Sequence, residues 1–385
     1  MRVSTTSGPD RTARGGWLLA AAGVAGVLVA ISLDHGHARS AASQVWSPFV
    51  LVAGLLLVGL VAEGDGLFRA AGYRIAGLAP NAVTLFAGAA VLVALVTSVL
   101  NLDTSVVFLT PVLAHAARSR GHDEAPLLYG CLLLSNAGSL LLPGSNLTNL
   151  IVAGHLHVSG AAFFGRMAPA WIVAVAVTAT VVGVLERRSL RTGAGGRTEP
   201  PPVALGLGLA AVIVVTILVV VLRSPALPVA SVGIVVVGIR LATRRERPDQ
   251  VAGVLGLPVL VGLFGVAVAL GTLGRSWSGP ATLLSHLNAW GTAAVAAGAS
   301  VVFNNLPAAS LLASRVPPRP YALLIGLDIG PNLFVTGSLS WILWRRAASA
   351  AGAHPSVARA SFLGLLSVPL SMAAAVGMLS LTGSH

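Results

Sequence analysis

"LDIGPNLFVTGSLSWIL", residues 327–343, sets a carboxylate (Asp328), a Gly-Pro pair (Gly330 and Pro331), Asn332 and the hydroxyls of Thr336, Ser338 and Ser340 inside an otherwise apolar run. Glycine permits unusual dihedrals and proline removes a donor, so a helix through this stretch is interrupted in its middle. The rest of the chain says which solvent surrounds it. Hydrophobic residues make up 55% and charged residues 9%, with a mean hydropathy of +0.87, far from the soluble balance of about half apolar and about a quarter charged. This is the composition of a polytopic membrane protein. At about 20 apolar residues per helical crossing, 385 residues hold roughly ten spans in one integral domain, 1–385. In a bilayer, broken helix is tolerated only where protein or a wet cavity satisfies the freed backbone groups, so the interruption at 328–338 marks a cavity.

The formal charge of +12 comes entirely from arginine, since the chain contains no lysine. Those arginines sit in short loops between apolar segments, the usual record of membrane topology rather than a nucleic-acid patch. Without lysine there is no P-loop. Transport, if that is the function, draws on an ion gradient or on a separate ATPase subunit, and no cofactor is expected. One cysteine, Cys131, excludes an internal disulfide and a thiolate cluster and reads as a small apolar helix residue.

Full-length spans are expected at 16–33, 46–62, 165–185, 202–222, 226–242, 250–273 and 357–381. Four segments depart from that pattern. Residues 81–117 form two apolar arms meeting at "NLDTS" (101–105), the second arm short for a crossing, and 288–315 repeat the design around "NNLP" (304–307). Each is followed by an apolar run interrupted in its middle, "SNAGSLLLPGSN" (135–146) and the opening stretch. If the hairpins dip in and return while the interrupted runs cross as broken helices, the N-terminus and the loops around 63–80, 118–126, 186–201, 240–249 and 345–360 share one side. Eighteen of the 24 arginines lie there, and only Arg39, Arg166, Arg223, Arg275, Arg315 and Arg319 do not. By the positive-inside rule that side is cytoplasmic.

The same arrangement sends the two hairpins in from opposite sides. The expected fold is therefore an all-α polytopic membrane protein with an inverted repeat, two re-entrant hairpins and two broken transmembrane helices, about ten to eleven membrane segments in all. The first repeat unit spans 81–157 and the second, inverted one spans 288–347. "PGSNL" (143–147) aligns with "TGSLS" (336–340), pairing Gly144 with Gly337 and Ser145 with Ser338, and Asn101 pairs with Asn304. Broken helices in corresponding positions are the best sequence pointer to a secondary transporter's midplane site.

At the breaks, Pro143, Gly144, Gly330, Pro331 and Gly337 free helix ends, whose N–H and C=O groups become available to a substrate or ion. Ser135, Asn136, Ser139, Ser145, Asn146, Thr148 and Asn149 add polar groups on one side, and Asn332, Thr336, Ser338 and Ser340 on the other. Ten of the twelve acidic residues lie in tails, loops or span ends; only Asp103, at the first tip beside Thr104, and Asp328 lie inside. Burial penalises a carboxylate's charged form, so each is a candidate for taking up and releasing a proton. The competing reading is a helix cap. His35/His37 and His155/His157 read as solvated loop histidines and not as a metal clamp. His115 is a weaker candidate for a proton relay, and the seven tryptophans read mostly as interfacial anchors.

The windows "NLDTSVVFLTPVL" (101–113), "SNAGSLLLPGSNLTNLI" (135–151), "NNLPAASLL" (304–312) and "GLDIGPNLFVTGSLSWILW" (326–344) resemble the arsenical-pump membrane proteins of the ion transporter superfamily, which also holds sodium/proton antiporters and dicarboxylate or citrate symporters. The resemblance covers most of the chain in order. It implies hairpins and broken helices around a central site and a homodimer built on a separate scaffold, and it points to Asp103, Asn304, Asn305 and Asp328, with Ser145 and Asn146 in the first break. The first tip reads Asn-Leu-Asp where the arsenical branch commonly has Asn and Asp adjacent, and the loops are abbreviated. The expectation is proton-coupled efflux of arsenite and antimonite across the cell membrane, with the N-terminus cytoplasmic. The alternative is a sodium/proton antiporter or a sodium-coupled anion symporter. Carboxylates at the site without any arginine disfavour a dicarboxylate cargo. A membrane enzyme needs a nucleophile or metal constellation, and the sequence offers none.

Overall fold

The computed structural model describes residues 10–156, 158–191 and 206–383. Its first half runs α1 (Asp10–Leu33), α2 (His35–Gly64), α3 (Leu67–Leu78), α4 (Ala82–Val99), α5 (Leu102–Ser119), α6 (Ala125–Gly138), α7 (Leu147–Ala153) and α8 (Gly160–Leu185). The second runs α9 (Leu207–Val221), α10 (Ala226–Ala242), α11 (Pro248–Leu255), α12 (Leu257–Ser276), α13 (Gly279–His286), α14 (Ala289–Phe303), α15 (Asn305–Leu312), α16 (Pro320–Ile329), α17 (Ser340–Ala350) and α18 (Val357–Leu381). No strand occurs among the described residues. Six apolar stretches among them are long enough to cross a membrane: α1 from Gly15, α2, α4, α8, α11 with α12, and α18. The protein is an all-helical, multi-pass membrane protein.

The interruptions fall where Pro and Gly put them. Between α6 and α7 the backbone makes a 3-10 turn at Pro143–Ser145, and between α16 and α17 another at Gly330–Leu333. The hairpins turn at Asn101 and Asn304, each of which caps the second arm: Asn101 accepts from Thr104 N at 2.7 Å and Asn304 from Leu306 N at 3.4 Å. Asn304 holds φ +75° and ψ 149°, a region that side chains other than glycine's enter only at a cost of about 1–3 kcal/mol.

Packing exchanges the two halves. The first arm of each hairpin lies on the first half of its own broken helix, α4 on α6 and α14 on α16. The second arm lies on the second half of the other broken helix, α5 on α17 and α15 on α7. Outside this core α1 crosses α12 and α10 crosses α2, in both cases through glycine. A Cβ on Gly262 would stand 2.6 Å from the Leu19 carbonyl carbon, and one on Gly54 would stand 2.7 Å from Ala230 Cα. Backbones that approach this closely pack well in lipid, where no hydrophobic force drives helices together.

Several boundaries differ from those expected. Asp34 accepts from His37 N at 2.8 Å and so caps α2, which begins at His35 and not near 46. His35 and His37 therefore lie on a helix, and His37 Nδ1 stands 2.8 Å from Asp34 Oδ2. The span at 250–273 is divided at Gly256, where φ is +53°. The second arm of the first hairpin is not short, since α5 has 18 residues, as does α4. Residues 67–78, expected within a loop, form α3, a helix with buried Phe68, Ala70, Gly72 and Ala76. Arg2, His157, residues 192–201 of the loop around 186–201 with Arg197 among them, and the start of the expected span 202–222 (202–205) lie outside the described residues.

Candidate functional site

Asp328 occupies the penultimate position of α16, fully buried. Its Oδ1 accepts from Asn146 Nδ2 at 3.0 Å and from Thr148 Oγ1 at 2.5 Å. Asn146 is the N-cap of α7. The carboxylate of the second break thus ties down the first, and among its described bonds none is to a backbone N–H. It is a bridge between the two interrupted helices rather than a cap of its own.

The amides around it are oriented by carbonyls. Asn149 Nδ2 donates to Ser139 O (2.6 Å) and Leu142 O (3.1 Å), Asn332 Nδ2 to Leu133 O (2.9 Å), and Asn136 Nδ2 to Leu132 O (3.2 Å) and Ser340 Oγ (3.4 Å). A carbonyl accepts only from the NH₂ end, so each Oδ1 is turned away from those partners. Asp328 Oδ2 and the Oδ1 atoms of Asn136, Asn149 and Asn332 are left buried with no hydrogen-bond partner. Each such orphan costs about 1–3 kcal/mol. Four acceptors of this kind lie on residues at or beside the two breaks, and each can take a proton, a hydroxyl donor or a cation.

The other expected residues divide. Ser145 Oγ donates to Ser139 O and Leu142 O, closing the first turn. Ser135 bonds back to Cys131 O at 2.6 Å, and Ser338 Oγ accepts from Ser340 N at 3.3 Å. These three shape the breaks. Asn305 N donates to Gly337 O (2.9 Å) and Asn304 Nδ2 to Thr336 O (3.3 Å), which docks the second tip on the second break. Thr336 is exposed and donates to Val301 O, so the structure does not bring it to Asp328. Asn101 and Thr104 are buried at the first tip, where Asn101 Nδ2 and Thr104 Oγ1 lack partners. Asp103 faces elsewhere. It lies partly buried on the wall of a cavity of about 670 Å³ that also touches Leu147, Leu339 and Arg346.

Three tryptophans are not the interfacial anchors they were expected to be. Trp341 and Trp344 are fully buried and meet edge to face. Trp341 Nε1 donates to Pro331 O (2.9 Å) and Trp171 Nε1 to Gly138 O (3.0 Å), so an indole satisfies a carbonyl freed at each break. Trp344 Nε1 donates to Leu128 O at 2.8 Å. His155, expected in solvent, is half-buried in a strap: its Nε2 stands 2.7 Å from Ala313 O and 2.9 Å from Gln44 Nε2, and Arg275 Nη2 holds Gln44 Oε1 at 2.5 Å. The strap joins α2 and α12 to the ends of α7 and α15. A lone glutamine at the start of an apolar run was its sequence signal. His115 Nε2 meets Tyr73 Oη at 2.6 Å beside a second cavity of about 300 Å³ lined by Glu63 and Arg69.

Residues 11–327 match the citrate transporter family, CitMHS. The chain belongs to that family. The match ends one residue before Asp328. Among curated proteins the arsenical pump membrane protein of Yersinia enterocolitica is 23% identical over 335 residues, 78% of either chain. The arsenical pump membrane protein of Escherichia coli is 21% identical over 334 residues, again 78% of each. The silicon efflux transporter LSI3 of Oryza sativa subsp. japonica is 26% identical over 184 residues, 47% of this chain and 37% of that one. Among solved structures the YdaH transporter of Alcanivorax borkumensis, described as having an unusual topology, superposes with a TM-score of 0.55 at 13% identity, covering 89% of this chain and 87% of the other. The resemblance to arsenical pumps therefore holds across most of the chain, and the protein is a membrane transporter of the citrate transporter and arsenical pump type.

Proposed function

We propose that this transporter exports the neutral hydroxides of arsenic and antimony from the cytoplasm across the cell membrane in exchange for protons, with no catalytic step. The four buried, partnerless acceptor oxygens on residues at or beside the breaks carry the reading. A neutral trihydroxide brings three O–H donors and no charge, which such a lining can take; a tricarboxylate brings carboxylate acceptors and negative charge, which Asp328 repels. No arginine or histidine bonds to Asp328, Asn136, Asn149 or Asn332 among the described contacts. Relatives named for arsenical and silicon transport favour the same class of cargo. In this scheme Asp328 exchanges its proton as cargo enters and leaves, and Asp103 supplies a second carboxylate on the cytoplasmic approach. The energy source is an ion gradient, with a separate ATPase subunit or a homodimer as partners compatible with the scheme.

The same oxygens would also ligate Na⁺, and the citrate transporter match keeps a sodium-coupled antiporter or anion symporter as the second reading. Expression in a host lacking its own metalloid and sodium exporters separates the two. The proposal expects restored growth on arsenite and antimonite and no gain on NaCl. Sodium tolerance without metalloid tolerance would replace it with the second reading.

A further inference from the structure

The cavity beside Asp103 is far larger than a metalloid hydroxide needs. At about 670 Å³ it falls in the range of sites for drug-sized molecules, about 300–1,000 Å³. It lies between α5 and α17 on one side and α1, α11 and α12 on the other, and its wall is nearly all apolar, with Leu56, Val107, Phe108, Leu263 and Leu343 among the lining residues. Two charges touch it. Asp103 stands near the first hairpin tip, without a hydrogen-bond or ion-pair partner among the described contacts. Arg346 is exposed seven residues beyond Leu339, roughly 10 Å along α17 at 1.5 Å per residue. Gly15, Gly253 and Ala350 also border it, and they lie on the arginine-rich side.

A small hydroxide gains nothing from such a wall, and an anion would meet Asp103. A molecule with an apolar body and one positive charge satisfies both features, since it covers the leucines and valines and neutralises the carboxylate in a medium of low dielectric. The ring of Phe108, stacked on Phe68 at 5.4 Å, offers a further surface for a cation. We infer that this cavity binds small amphiphilic cations, such as aryl or alkyl ammonium compounds, with Asp103 as their counter-charge. The inference rests on the transporter reading for the role such a cation would play, as inhibitor or as second cargo.

Equilibrium dialysis of the purified full-length chain in detergent against radiolabelled tetraphenylphosphonium tests it without a gradient or a metalloid. Saturable binding near one per chain is expected, at least tenfold weaker in the Asp103→Asn variant, and unaffected by excess of the neutral triphenylphosphine oxide. No saturable binding would overturn the inference. So would equal affinity in the variant, or full competition by the neutral compound, since either means that the wall takes up any apolar body, as it would a lipid tail. The competition arm uses the wild-type chain and so stands even if the variant fails to fold. A chain that confers arsenite tolerance yet binds no phosphonium removes this inference alone; one that binds phosphonium and confers no tolerance removes only the metalloid reading.

Discussion

Replacing Asp328 by alanine should separate the two broken helices. In the native chain Oδ1 satisfies Asn146 Nδ2 and Thr148 Oγ1, and both donors are buried, Asn146 at 6% exposure and Thr148 at none. Alanine takes that acceptor from both, leaving Thr148 Oγ1 without it and Asn146 Nδ2 with only the long bond to Ser139 Oγ at 3.4 Å, at about 1–3 kcal/mol each, so a loss of roughly 2–6 kcal/mol. Asparagine keeps an acceptor at the Oδ1 position and nearly the same volume, and its NH₂ replaces an Oδ2 that has no partner; its cost should stay within about 1 kcal/mol. Thermal unfolding of the detergent-purified protein, followed by tryptophan fluorescence, reads the difference. Asp328→Ala should lower Tm by roughly 5 °C or more and Asp328→Asn by about 2 °C or less. An alanine variant as stable as wild type would refute the bridge. Equal losses in the two variants would show that charge, rather than acceptor geometry, holds the breaks together.

The paired glycines of the breaks should not respond equally. A Cβ on Gly337 would stand 2.5 Å from Pro331 Cα, whereas one on Gly144 meets side chains alone, Val219 at 3.2 Å and Leu51 at 3.6 Å, so Gly337→Ala should abolish transport at normal membrane levels while Gly144→Ala retains a measurable rate. Arg240 lies buried between Asp65 (2.9 Å) and Glu246 (3.6 Å); Arg240→Met strands two carboxylates at about 3–5 kcal/mol and should deplete the protein from membranes, an effect that immunoblotting of membrane fractions would detect or exclude. For topology, the only native thiol, Cys131, is fully buried. A cysteine at exposed Ser278 should react with an impermeant maleimide in intact cells and one at exposed His354 only after lysis; the opposite pattern would invert the assignment of sides.

The sequence made the breaks legible because proline and glycine act on the backbone locally. "PGS" and "GPN" turn where they were expected to turn, and α10 and α18 keep the expected bounds to the residue. The polar set at the first break was equally visible, since few side chains can hide a hydroxyl or amide in an apolar run. What stayed hidden depended on distant partners. Nothing near Asp328 says that its carboxylate meets Asn146 and Thr148, some 180 residues away, or that Asp103 faces a separate cavity. Indoles in an apolar chain commonly sit at the membrane interface, and only the fold shows that those of Trp171 and Trp341 serve carbonyls freed by the breaks. The length of α2 was missed because "HGHARSAAS" is polar enough to read as loop, although Asp34 is a good cap.

The most direct measurement of the central claim is arsenite accumulation in everted membrane vesicles, with and without an imposed proton gradient, for wild type and for Asp328→Asn. If Asp328 carries the exchanged proton, the gradient accelerates accumulation in wild type and leaves the variant at its gradient-free rate, while arsenite exchange across the variant's membrane persists. Gradient-stimulated accumulation at the wild-type level in the variant would contradict it.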